Sequence, residues 1–279
     1  MHETARSQPD QGVQEELEGR LDYMGYLQLH SLLDCQRPVS SSHDEMLFIV
    51  IHQVTELWLR LMLHELDAAR HLIAGDALAP SFKMTARVSR IQEQLVHSWD
   101  VLSTLTPADY LVFRDLLGPA SGFQSPQYRR LEFLLGNRDP RKLGVFRHHP
   151  EVMGELEAEL GRPSLYDEVV RLLARRGFAI DPAVLTRPLD EPHRSDRSVL
   201  EAWREVYRRP AQLFELYQLA EELVDIEDAF RQWRFRHVTT VERIIGLKRG
   251  TGGTAGVAYL RDAVGIVLFP ELWAVRTSL

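Results

Sequence analysis

A chain of 279 residues, 44% hydrophobic and 26% charged, has enough material for a sizeable buried core and the composition of an ordinary soluble globular protein. Its formal net charge of −7 argues against a nucleic-acid partner, which needs a basic patch, and its single cysteine, Cys35, excludes an internal disulfide framework or a thiolate-rich metal site within one chain. No apolar run is expected to reach the roughly 20 residues of a membrane-spanning helix. The opening, MHETARSQPDQGVQEELEGR, has neither a signal-peptide core nor an Arg-rich transit pattern, so the expected location is the cytoplasm with no membrane partner.

In chain order, residues 1–18 read as a disordered polar tail. A first helix is expected over Tyr23–Leu33, ending before Pro38. Ser42 and Glu45 have capping-box spacing, and a second helix should run from about Asp44 to Ala74, ending at Gly75-Asp76. A third is expected from about Lys83 to Leu105, and Thr106-Pro107 opens a short fourth. Leu117-Gly118-Pro119-Ala120-Ser121-Gly122 reads as a loop. Between 138 and 200, Pro140, Pro150, Pro163, Pro182, Pro188 and Pro192 punctuate short helical pieces, which suggests a small helical insert. From Pro210 to Ile245 the helical pattern is nearly unbroken, a span of about 50 Å, and Gly246 and Gly250 close it. No alternating strand pattern and no internal repeat is visible, so the fold class is all-α. The arginine pairs Arg129-Arg130, Arg175-Arg176 and Arg208-Arg209 sit among acidic neighbours and read as solvated helix faces.

Four segments hold residues with chemical potential. Ile226, Phe230, Trp233, His237, Val241 and Ile244 follow steps of three and four, so they share one helix face. His237 is the polar member of that row: either a core histidine bonded to a neighbour, or an axial ligand to haem iron. His52 poses the same choice, one turn from Phe48 on a face with Glu56; buried, it could accept a hydrogen bond from a heteroaromatic N–H. Tyr110 and Arg114 are an i, i+4 pair that can hold a carboxylate, or equally an arginine stem packed over a phenol. Gly250-Thr251-Gly252-Gly253-Thr254-Ala255-Gly256 has four glycines in seven residues. A long helix precedes it rather than a buried strand, which disfavours a dinucleotide loop and leaves a linker or a closing ligand loop. Trp99 and Tyr128 are aromatics for either core or pocket.

Taken together, the segments have a familiar order. Ser42-His43-Asp44-Glu45-Met46-Leu47-Phe48-Ile49-Val50-Ile51-His52-Gln53-Val54-Thr55-Glu56-Leu57-Trp58 closely resembles the signature of the haem-dependent tryptophan 2,3-dioxygenase family. Arg236-His237, Val241-Glu242-Arg243-Ile244-Ile245-Gly246 and Gly250-Thr251-Gly252-Gly253 are similar to it as well. So are Tyr23-x-x-Tyr26-Leu27, Ser121-Gly122-Phe123-Gln124-Ser125 and Phe269-Pro270-Glu271-Leu272-Trp273. The resemblance spans about residues 22–277 and thins between 138 and 200. It departs at Thr254-Ala255, where the family usually has two serines.

The resemblance implies a long-helix bundle enclosing a haem pocket, with residues 19–279 as one domain and about 138–200 as a variable insert. It implies haem b, one per subunit, with His237 as the axial ligand of the iron. His52 would be the catalytic residue that accepts from the indole N–H, and Phe48 would pack on the indole. Tyr110 and Arg114 would bind the substrate carboxylate and Thr251 its ammonium; Ser121 and Gly122 would lie beside the haem edge, with Trp99 and Tyr128 at the cofactor. Tyr23, Tyr26 and Leu27 would enter the pocket of a neighbouring subunit in a homo-oligomer, usually a homotetramer. The implied reaction joins L-tryptophan and O₂ to give N-formyl-L-kynurenine, the first step of tryptophan catabolism by the kynurenine pathway. Two alternatives stand beside it: a haem monooxygenase of the same fold that hydroxylates an indole in a biosynthetic route, and a helical interaction or haem-sensing protein without catalysis.

Overall fold

The computed structural model describes residues 19–279, so the tail expected at 1–18 lies outside them. The chain divides into two compact units at Pro38. In the first, the expected helix is two short ones, α1 (Tyr23–Leu27) and α2 (Leu29–Leu33). Gln28 breaks it: its φ of 52° is left-handed, and its backbone N–H turns back to cap α1. Tyr23, Tyr26 and Leu27 stand on α1 with exposed side chains.

Every regular element described in the second unit is helical. First come α3 (Glu45–Ala74), α4 (Leu78–Leu102), α5 (Pro107–Arg114), α6 (Pro126–Leu134), α7 (Pro150–Leu160) and α8 (Leu165–Arg175). They are followed by α9 (Pro182–Leu185), α10 (Arg197–Arg208), α11 (Phe214–Ile245), α12 (Val257–Val264) and α13 (Pro270–Val275). Three 3₁₀ segments, Asp115–Leu117, Gly122–Gln124 and Pro140–Phe146, fill turns between them. The all-α expectation holds.

The start of α3 differs from the capping box expected of Ser42. Asp44 is the N-cap without a side-chain bond, and the buried Glu45 carboxylate accepts from the Val39 and Ser40 amides at 2.7 and 2.8 Å. The carboxylate orders the approach to the helix instead of its first turn. Helix α4 starts five residues earlier than expected because Pro80 lies in its first turn, where a missing N–H costs nothing. Helix α11 starts at Phe214 rather than Pro210, because residues 210–213 are spent on turns.

α3 also revises the expectation that no helix is apolar enough to span a bilayer. An 18-residue window of it has mean hydropathy 1.5, sufficient by length and composition alone. His52, Thr55 and Glu56 interrupt the run in the sequence, which masks it.

The core forms where α3, α4 and α11 pack together, with α8 laid on α3. Met62, Leu66, Leu223, Ile226 and Trp203 are fully buried there, and burial of side chains this size is the main stabilising term. Within 138–200, α8 supplies Tyr166 and Val169 to this main core and the start of α10 supplies Val199. Phe133, Leu143, Phe146, Leu156 and Leu160 make a separate small cluster. Glu227 ties the bundle to its C-terminal segment: fully buried, it accepts from the Leu268 and Phe269 amides at 3.0 and 2.8 Å and pairs with Arg231 at 2.7 Å.

Two of the arginine pairs, Arg175-Arg176 and Arg208-Arg209, are exposed as expected, and Arg129-Arg130 is not. Arg129 is buried and ion-paired with Glu132, and Arg130 pairs with Asp67 and Glu159. Arg130 thereby ties α6 to α3 and α7, through carboxylates distant in sequence.

Candidate functional site

Between α3, α4, α5, α11 and α12 lies a cavity of about 500 Å³ whose lining residues all fall between positions 48 and 266. That volume lies within the range of pockets that enclose a cofactor or drug-sized ligand. One wall is α11, where the stripe read from sequence changes role along its length. Ile226 and Phe230 are core, whereas Trp233, His237, Val241 and Ile244 line the cavity.

His237 stands in an aromatic setting. The Trp99 ring of α4 stacks on its imidazole at 4.6 Å between centroids and 14° between planes, and Trp233 lies 5.5 Å away. Burial, helped by the proximity of His52, pushes its pKa down to about 4, so the ring is neutral at neutral pH and keeps a lone pair to donate. Among the described residues no group of three histidine, cysteine or carboxylate side chains gathers to hold a metal ion. A lone neutral imidazole in a broad apolar cavity therefore suits a metal whose remaining ligands arrive with a flat prosthetic group.

His52 lines the same cavity from α3. Its Nδ1 is 2.7 Å from the Phe48 carbonyl, an acceptor only, so Nδ1 carries the proton and Nε2 is left as an acceptor. Burial lowers its pKa, outweighing the opposing effects of the Phe48 carbonyl and Glu56. Phe48 packs on His52 at 4.2 Å and faces Tyr110 and Phe113 at 5.7 and 5.6 Å. Together these form an aromatic slot with one hydrogen-bond acceptor in it.

Tyr110 and Arg114 lie on the cavity wall, brought there by α5, whose Thr106–Asp109 capping box fixes its start. Arg114 donates from Nη2 to the Arg249 carbonyl at 2.9 Å, while its buried Nε has no partner. The Gly-rich segment thus folds against α5. It also meets the Ser121 turn: Thr251 Oγ1 donates to the Ala120 carbonyl at 2.5 Å, and a Cβ on Gly252 would lie 2.7 Å from that of Ser121. At Gly256, φ is 62° and a Cβ would stand 2.5 Å from the Lys248 carbonyl, so both glycines are required by close approach. Ser121, Gly122, Thr251 and Thr254 all line the cavity.

Tyr128 enters from α6 and lies 5.4 Å from Trp233. Burial, with Glu132 nearby, holds its phenol well above the ordinary range, so it stays protonated. The indole Nε1 of Trp99 is buried without a hydrogen-bond partner among the described residues.

The structure therefore brings Phe48, His52, Trp99, Tyr110, Arg114, Ser121, Gly122, Tyr128, His237 and Thr251 to one cavity. Tyr23, Tyr26 and Leu27 belong to the first unit and are not among the lining residues. The sequence reading missed Thr55, Glu132, Lys142, Arg234 and Tyr259, which also line it. Three of them carried a signal: Thr55 lies three residues after His52, Glu132 four after Tyr128 and Arg234 three before His237, each on the same helix face as its neighbour.

A family model described as Tryptophan 2,3-dioxygenase matches residues 7–163 and 154–279. A Tryptophan 2,3-dioxygenase of Burkholderia ambifaria is 60% identical over 259 residues, covering 93% of this chain and 84% of its own. One from Paraburkholderia phytofirmans is 60% identical with 93% and 85% covered. One from Burkholderia lata is 57% identical over 281 residues, covering all of this chain and 91% of its own. With a family model spanning the chain and such relatives at this identity, the chain belongs to the tryptophan 2,3-dioxygenase family.

Proposed function

We propose that this protein is a haem-dependent dioxygenase that opens the indole C2–C3 bond of L-tryptophan with O₂ to give N-formyl-L-kynurenine. The observation that carries the reading is a pair of neutral imidazoles on the wall of one cavity. One is set in an aromatic wall, and the other presents a bare acceptor nitrogen beside an aromatic slot. The unpartnered Trp99 indole N–H and the imidazole of His237 fit haem b, one per subunit, which His237 would hold by its iron with Trp99 and Tyr128 beside it. When bound, haem would supply the activation of dioxygen.

The chain's own residues do the rest. Phe48 packs on the indole, and His52 Nε2 accepts from its N–H, which fixes the ring plane. Arg114 and Tyr110 hold the carboxylate by charge-assisted bonds; Thr251 takes the ammonium, with Ser121 and Gly122 behind it. Clamping both ends of the amino acid orients the C2–C3 bond and stands in for lost translational freedom. The Gly-rich segment, held by Thr251 and Arg114 against two separate walls, excludes water. Substrate and O₂ combine without loss, so both oxygen atoms are retained and no external reductant is consumed per turnover.

The same reading takes residues 19–279 as one catalytic domain in the cytoplasm and the protein as a homotetramer. The exposed side chains of Tyr23, Tyr26 and Leu27 are then the part that completes a neighbouring subunit's pocket. The test is direct. Reduced, haem-loaded protein given L-tryptophan and O₂ should develop N-formylkynurenine absorbance, with the product mass raised by two oxygen atoms. A gain of one oxygen would favour an indole hydroxylase, and His237→Ala should abolish haem retention. A folded protein that takes up no haem would end the proposal.

A further inference from the structure

Arg234 is a buried cation without a counter-ion. It lies on α11 one turn before His237, lines the cavity, and is only 3% exposed. Its Nη1 donates to the Ile266 carbonyl at 3.1 Å, and its guanidinium lies 4.4 Å from the centre of the Phe230 ring. Its Nε and Nη2 are buried without a hydrogen-bond partner, the neutral Tyr128 hydroxyl is the polar group nearby, and among the described residues it makes no ion pair. The carboxylates on the same wall are committed elsewhere or face water. Glu132 serves Arg129 and also Lys142 at 3.3 Å, Glu56 accepts from Gln127 at 2.8 Å, and Asp262 is exposed.

A guanidinium kept from water with two unsatisfied N–H edges is strongly unfavourable unless an anion that is not part of the chain meets it. One carbonyl bond to Ile266 does not require a charge, and stacking on Phe230 leaves the in-plane donors unused. The substrate carboxylate is already matched by Arg114 and Tyr110. We infer that Arg234 binds a carboxylate of the cofactor, as the anchor for one of the two propionate groups at the porphyrin edge. This rests on the haem reading above and extends it to a residue with no assigned role. Guanidinium geometry suits a carboxylate through two parallel N–H bonds, and Nε with Nη2 is the edge left open.

The experiment compares two ligands in three proteins. Apoprotein of wild type, Arg234→Met and Arg234→Lys is titrated with hemin and with hemin dimethyl ester, which lacks the carboxylate charges. Binding is read from the Soret band and from quenching of tryptophan emission. Wild type should prefer hemin over its ester by about 30-fold or more, the scale of a buried charge pair. In Arg234→Met that preference should fall at least about tenfold while ester affinity stays as in wild type, and Arg234→Lys should recover part of it. A preference unchanged in Arg234→Met overturns the inference and leaves the haem reading standing. Equal wild-type affinity for the two ligands also overturns it, without needing any variant to fold. Wild type that binds neither ligand defeats the haem reading and the inference with it.

Discussion

Replacing Arg114 by Met keeps most of the stem and removes the charge. Its side chain is 22% exposed, its Nε is buried and unpartnered, and one Nη is committed to the Arg249 carbonyl. A carboxylate meeting the remaining donors would form a partly buried charge pair, whose truncation costs about 2–4 kcal/mol, or roughly 30- to 1000-fold in Kd. The assay is equilibrium titration of the haem-loaded protein, followed by the Soret shift, with L-tryptophan and with tryptamine, which lacks the carboxylate. Arg114→Met should weaken L-tryptophan by that factor and leave tryptamine within a few-fold of wild type. Equal losses for both ligands would mean that Arg114 acts by holding the Gly-rich segment, and unchanged L-tryptophan affinity would refute the carboxylate assignment outright.

Lowering pH should leave tryptophan affinity level above 6.5, the ordinary histidine value, and reduce it below, because burial depresses the His52 pKa. As pH falls through that depressed value, Nε2 gains a proton and turns from acceptor to donor against the indole N–H; a Kd that instead worsens as pH rises from 6.5 to 8 would contradict this. The unfolded chain binds that proton more readily than the folded one, so apoprotein stability should also decline as pH drops below about 6.5, as followed by urea unfolding. Gly252→Ala places a Cβ 2.7 Å from that of Ser121. It should lower kcat/KM by about tenfold or more through incomplete closure while haem content, measured as pyridine haemochrome, stays at wild-type level. Glu227→Ala leaves two buried amides and Arg231 without their acceptor, and should cost about 3–5 kcal/mol, visible as a large drop in Tm, with Glu227→Gln losing less.

How far the sequence reaches depends on the range of the interactions. His237 was visible because a regular helix carries its face along with it, and six residues stepping by three and four leave one orientation. The Phe48–His52 and Tyr110–Arg114 pairs were visible for the same reason, each being one turn of a single helix. The helix break at Gln28 was not: a left-handed glutamine has no propensity signal, and its cap is made by backbone. Nor was the role of Glu45, whose carboxylate turns back to Val39 and Ser40 rather than capping locally.

Amino-acid order alone determined an all-helical chain, the faces that carry its histidines, and a motif set specific enough for a family. Only tertiary packing decided that Trp99 stacks on His237, that the glycine segment reaches Ser121, and that Arg234 is buried with no counter-ion. Helical periodicity is a local property repeated every 3.6 residues and is written in the sequence. The meeting of α4, α5 and α6 with α11, as in Trp99 on His237 and Tyr128 on Trp233, joins positions more than a hundred residues apart, and no local spacing encodes it.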